Sequence, residues 1–243
     1  MKRILTSLIA MVLCCSTLAA MKPNILFIAV DDLKPMLGCY GDTDVLTPNI
    51  DQLAARGTVF LNNACQQSVC GPSRASLMTG TYPDTTKVYD LKTMLPAANP
   101  DTLTLPEYLR THGYETTGTG KIYDPRSVDD ELDAPSWSQP FQLNDLDPYF
   151  APGFKKPKGG YFDPEVAQEN KQLRQYMKKE GIKRKDKQAY AAALSKFPNV
   201  KPLTECMDVL DDAYDDGAIA NCAVDQMASL SKGGATVLSG GRF

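Results

Sequence analysis

Asn24-Ile25-Leu26-Phe27-Ile28-Ala29-Val30 reads as one strand, apolar without interruption from Ile25, and it runs straight into two carboxylates, Asp31 and Asp32. A run with no polar alternation fits a strand covered on both faces, as in the middle of a parallel sheet. Parallel neighbours need long crossovers, usually helical, so the run calls for helices packed around a sheet. It also puts Asp31 and Asp32 at the carboxyl end of a central strand, the edge at which open α/β sheets bind ligands. The residues that follow supply the rest of such a layout. Thr47 as N-cap, Pro48 at the first position and Gly57 as stop predict a short helix. Thr58 to Asn62 predicts a strand, and Ser73 to Met78 opens a helix closed by Gly80. Leu105 to Thr111 predicts another helix, ended by Gly113, and Tyr114 to Thr119 a further strand. Strands alternating with short helices predict an α/β sandwich.

Size and charge leave room for this. The chain has 243 residues, 43% of them hydrophobic, enough for a substantial core. A net charge of −3 argues against nucleic acid as a partner. Lys2 and Arg3, an apolar run from Ile4 to Leu13, and small residues at Ser16, Thr17, Ala19 and Ala20 describe a secretory signal peptide over residues 1–20. That run is short for a bilayer, so no stable membrane anchor is expected. Leu13 before Cys14 is not the small residue a lipid anchor wants. The expectation is an exported protein, periplasmic or secreted. Of seven cysteines, Cys14 and Cys15 leave with the signal. Cys39, Cys65, Cys206 and Cys222 then have two readings of equal weight, up to two disulfides or buried free thiols.

Beyond Asp124 the pattern weakens. Prolines and glycines crowd Pro135 to Gly160, predicting a long excursion over the surface. Lys171 to Lys187 reads as a basic helix, and a solvated helix face explains it better than attraction to a sulfated polymer. Asp208 to Gly217 is acidic, but a calcium loop ending at Gly217 would need an oxygen ligand where Tyr214 stands. Ala218 to Ser231 predicts a helix.

The chemistry centres on Cys70-Gly71-Pro72-Ser73-Arg74. This resembles the Cys-x-Pro-Ser-Arg signature of type I, formylglycine-dependent sulfatases. Ala75-Ser76-Leu77-Met78-Thr79-Gly80 continues the signature's helical part, and Pro23-Asn24-Ile25 through Asp31-Asp32 resembles the family's first strand and metal motif. Leu37-Gly38-Cys39-Tyr40-Gly41, Thr47-Pro48-Asn49-Ile50-Asp51 and Gly120-Lys121 follow in the family's order. Asp31-Asp32-Leu33-Lys34-Pro35 and Val69 before Cys70 are similar to the iduronate-2-sulfatase-like branch. The likeness covers about residues 22 to 126 and, more loosely, 212 to 220.

The resemblance implies an alkaline-phosphatase-like sandwich, a mainly parallel central sheet flanked by helices, incomplete in this chain. It implies a sulfuric ester hydrolase acting on a sulfated carbohydrate or polysaccharide. Cys70 would be oxidised to formylglycine by a formylglycine-generating, or sulfatase-maturating, enzyme. The hydrated aldehyde is a gem-diol: one hydroxyl attacks sulfur and expels the alcohol, and the other loses its proton so that the adduct collapses and sulfate leaves. Asp31, Asp32 and Cys70 would hold a divalent cation, calcium or else magnesium, as hard carboxylate oxygens suit. A cation and fixed positive side chains suit an anionic ester, because charge stabilisation is usually the largest contribution. Arg74 would hold the diol and orient the metal ligands, and Lys121 would contact sulfate. Asp124 departs from the family, which often has histidine there; the expectation is that it repels sulfate or accepts a sugar hydroxyl. His112, the only histidine, sits at a helix end, where it meets the helix dipole.

Related sequences carry a second metal pair, a second lysine and an active-site histidine further on, and no histidine follows His112. They also continue with a buried strand where this chain has Thr236 to Phe243. One back-translation of that tail, chosen for the purpose and read one nucleotide later, restores a similar strand. The expected organisation is therefore a signal peptide over 1–20, the N-terminal part of a sulfatase catalytic domain over 22–234, and an out-of-frame tail over 235–243. Two other readings stay open: an inactive truncated remnant, and a phosphonate or phosphate monoester hydrolase.

Overall fold

The structure is a computed structural model. It describes residues 22–129, 133–142, 146–153, 161–202, 204–230 and 236–241. The predicted signal peptide lies outside the described residues.

Strand β1 (Leu26–Val30) begins two residues later than the predicted start at Asn24 and ends where expected, just before Asp31. Strands β2 (Thr116–Gly120) and β3 (Thr236–Gly241) complete a parallel sheet in the order β1-β3-β2. Val30 is level with Gly241 and Gly120 with Gly240, so the carboxyl ends of β1 and β2 finish side by side across β3. Thr236–Gly241, part of the expected out-of-frame tail, therefore runs in the centre of the sheet. Its pairing uses backbone groups, which every residue but proline supplies.

Helix α1 (Pro48–Arg56) has the predicted limits, but Thr47 does not cap it with its side chain. The Thr47 hydroxyl instead accepts from Gly38 N and donates to Asp51 Oδ1. Helix α2 (Cys70–Thr79) starts three residues earlier than predicted and ends at Gly80, whose φ of +66° suits glycine. Helix α3 (Leu105–Thr111) is as predicted, with Thr104 accepting from Glu107 N. Helix α4 (Pro164–Lys179) is capped by Asp163 and helix α5 (Lys187–Leu194) by Asp186, so the predicted basic helix is two helices joined by a turn. Helix α6 (Asp215–Leu230) precedes β3.

Two expectations fail. The segment Thr58 to Asn62 forms no strand; Phe60 and Leu61 are exposed, so β propensity there found no sheet to join. The run Leu26–Val30 is covered on one face only. Phe27 and Ala29 pack on a cluster of Met78, Ile122, Tyr123, Val128 and Trp137, whereas Leu26 and Ile28 on the other face are 49% and 61% exposed. The predicted excursion over Pro135 to Gly160 does lack long elements in its described residues, yet it feeds the core. Trp137 is buried and packs on Phe141, the ring centroids 5.0 Å apart and the planes tilted by 48°. All five described cysteines are free thiols, but of Cys39, Cys65, Cys206 and Cys222 only Cys222 is buried, and Cys65 and Cys206 are exposed, so neither cysteine reading holds as stated.

Candidate active site

The sheet register explains how the site assembles. Asp31 leaves the end of β1 and Lys121 the end of β2, with one strand between them, a gap of about 10 Å that a lysine side chain can span. Lys121 is 8% exposed, and its Nζ forms an ion pair with Asp31 Oδ2. Arg74, 5% exposed and one turn along α2 from Cys70, donates from Nη2 to Asp31 Oδ1 at 2.9 Å. Its Nη1 donates to the carbonyls of Lys121 and of Ile122, the latter at 2.9 Å. One guanidinium thus locks α2 to the ends of both outer strands.

Cys70 is the first residue of α2. Its Sγ lies 3.4 Å from Lys121 Nζ and 3.9 Å from Asp31 Oδ2. Asp32 follows at φ +52°, a left-handed conformation that aspartate tolerates, and is exposed. One ligand atom each from Asp31, Asp32 and Cys70 lies within 4.8 Å of the others. An open cavity of about 570 Å³ is lined by these three and by Gln67, Ser73 and Arg74. The two carboxylates are hard, anionic donors that fit a divalent cation, and residue 70 would complete a hard set once its soft thiol is exchanged for oxygen. Burial pushes the Asp31 carboxyl up, but hydrogen bonds from Lys121 and Arg74 and their charges outweigh it and hold it below the usual range. Asp31 is thus kept ionised, as a metal ligand must be.

Gly71 is where the site is tightest. A Cβ there would lie 2.2 Å from Ser127 Oγ and 2.9 Å from the Asp90 carbonyl, so glycine admits the 124–128 loop against the start of α2. Asp124 is not among the residues that line the cavity. Its side chain is fully buried, takes both Nε and Nη2 of Arg126 at 2.8 Å, and lies 3.7 Å from Lys121 Nζ. The hydrogen bond from Arg126 lowers its carboxyl to about 2 against desolvation. The charge of Asp124, expected to repel sulfate or accept a sugar hydroxyl, is matched inside the protein by Arg126 and Lys121. His112 caps the end of α3, a helix end as expected, and with its proton on Nδ1 it donates to the Tyr108 carbonyl at 2.8 Å. Asp31, Asp32, Cys70, Arg74 and Lys121 are brought together. Sequence reasoning missed Arg126, whose only signal was a basic residue two positions after Asp124.

A family model described as Sulfatase matches residues 23–196. Iduronate 2-sulfatase of Mus musculus is 48% identical over 119 residues, 48% of this chain and 22% of that protein. A protein named Sulfatase from Formosa agariphila is 40% identical over 122 residues, 46% of this chain and 24% of that one. The chain spans only 22–24% of the length of these two relatives. The crystal structure of Ps i-CgsB in complex with k-i-k-neocarrahexaose matches with a TM-score of 0.54 at 22% identity, covering 91% of this chain and 44% of that one. That likeness bears out the alkaline-phosphatase-like fold.

Proposed function

Because the chain belongs to the sulfatase family, we propose that it carries the nucleophile-bearing part of a sulfuric ester hydrolase that removes sulfate from a sulfated carbohydrate. The observation that carries this reading is the placement of Cys70 Sγ 3.4 Å from Lys121 Nζ and beside the Asp31 carboxylate. A sulfate ester is an anion, and an incoming nucleophile must meet it among positive charges. Lys121 and Arg74 provide two fixed ones at the right place.

Each residue then has a role in this reading. Cys70, converted to formylglycine by a maturating enzyme, supplies the attacking oxygen once hydrated. A calcium ion (or magnesium) held by Asp31, Asp32 and residue 70 neutralises charge on the ester. Lys121 contacts a sulfate oxygen. Arg74 keeps Asp31 in place and ties it to the start of α2. The name of the mouse relative, which specifies a sulfated iduronate, supports a carbohydrate substrate. Residues 1–20 act as the export signal in this reading, and residues 22–234 belong to the catalytic domain. Among the described residues no helix is long and apolar enough to cross a membrane.

A second reading, an inactive remnant, is favoured by the open face of β1 at Leu26 and Ile28. The test is to produce the chain with a formylglycine-generating enzyme, add calcium, and compare 4-nitrophenyl sulfate with 4-nitrophenyl phosphate. Sulfate hydrolysis that vanishes in Cys70→Ala supports the proposal. Faster phosphate hydrolysis transfers the chain to the phosphomonoesterases. No turnover by a folded, converted protein establishes the remnant.

A further inference from the structure

Arg126 is a charged side chain beside the site to which none of these roles falls. It is 57% exposed, yet it is not loose: a fully buried carboxylate, Asp124, grips Nε and Nη2 at 2.8 Å each, and the Arg126 backbone N also donates to that carboxylate at 3.0 Å. Such paired bonds fix both the position and the plane of a guanidinium. The grip is adjacent to the chemistry. Contacts of 3.4, 3.7 and 2.8 Å lead in turn from Cys70 Sγ to Lys121 Nζ, to Asp124 Oδ2 and to Arg126 Nη2. The next residue, Ser127, is pressed against Gly71, the neighbour of Cys70. The hydrogen bond and charge of Asp124, with a smaller contribution from Asp31, raise the affinity of Arg126 for its proton.

We propose that Arg126, held by the positioning residue Asp124, is a substrate-binding arm that selects esters carrying a second anionic group beside the sulfate being cleaved. This rests on the sulfatase reading of the site. The neutralising work is already done by Lys121 and Arg74, so a third cation placed outward from them is free to meet another charge on the same molecule. An arginine whose one edge is occupied by Asp124 keeps its remaining donors for that group. A carboxylate or a second sulfate has the required oxygens.

The probes are phenyl sulfate and its 2-, 3- and 4-carboxy derivatives, which carry the second anion at increasing distance, with the matching carboxamides as neutral controls. Affinities are measured by calorimetry in calcium, on the chain with Cys70 unconverted so that no turnover intervenes. At least one carboxylate should bind about tenfold more tightly than phenyl sulfate and its own carboxamide. Arg126→Gln should remove that preference while leaving phenyl sulfate within about twofold, and Arg126→Lys should restore part of it. Asp124→Asn should weaken the preference without abolishing phenyl sulfate binding. Equal affinities across the series, or a preference that survives Arg126→Gln, overturns the role of Arg126 and leaves the sulfatase reading standing. Absence of saturable phenyl sulfate binding overturns both.

Discussion

Asp31 holds a cation on each oxygen, Arg74 on Oδ1 and Lys121 on Oδ2, and this makes it the most consequential single residue in the site. Removing it leaves Arg74 without a carboxylate and Lys121 with only Asp124 at 3.7 Å, so Asp31→Ala should cost on the order of 3 kcal/mol, read from urea unfolding. A loss below 1 kcal/mol would mean that solvent already screens the pair. Acid should act in the same direction. The folded value of Asp124, about 2, lies below its ordinary 3.8, so its stabilisation is fully present above pH 3.8 and is lost as pH falls toward 2. Asp31, also lowered, adds to that loss. Asp124→Asn should therefore flatten the stability profile in this window; an unchanged slope would show that the Arg126 pair contributes nothing to it. Cys70, Arg74 and the two carboxylates were legible in the sequence because they sit in two short motifs, Asp31-Asp32 after a strand and Cys70 to Arg74. Arg126 was not, since a pair two residues apart has no periodicity to mark it, and only burial of Asp124 shows which way it turns.

Among the elements, α2 decides the geometry. It begins at Cys70, sends Arg74 to both outer strands, and packs Met78 into the cluster beneath β1. Gly71→Ala would drive a methyl into Ser127 and the Asp90 carbonyl and should cost about 1–3 kcal/mol while displacing Cys70. The thermal midpoint and the calcium response should fall together; a wild-type midpoint would contradict the close approach. Helices α1 and α3 were legible to the residue because proline and glycine punctuate them. The missed strand at Thr58 to Asn62 and the open face of β1 have one physical cause. Apolar, β-branched sequence states a preference for cover, and whether cover arrives depends on residues distant in the chain. Trp137 shows the converse: in a stretch read as surface excursion, one large aromatic was enough to draw the loop into the core.

For the whole molecule, the sheet does the work of assembly. Lys121 and Asp31 are 90 positions apart, and their meeting follows from parallel pairing through β3, which brings the ends of β1 and β2 to one edge. No local pattern encodes that distance. The same edge should couple metal binding to folding, since calcium bound only by the folded chain stabilises it by about 2.7 kcal/mol at a hundredfold excess over Kd. A calorimetric melt should show the midpoint rising with calcium and dropping on chelation in the wild type, and staying fixed in Asp31→Ala. A calcium response that persists in that variant would move the cation elsewhere.

Every role proposed for the site turns on residue 70 becoming a formylglycine. The mass of the Cys70 peptide, taken after the chain is produced alongside a formylglycine-generating enzyme, tests it most directly. A formylglycine at residue 70 gives the mass loss expected when the thiol is exchanged for an aldehyde, together with capture by a hydrazide. A peptide that keeps its thiol in full, from a chain that is folded, would contradict it.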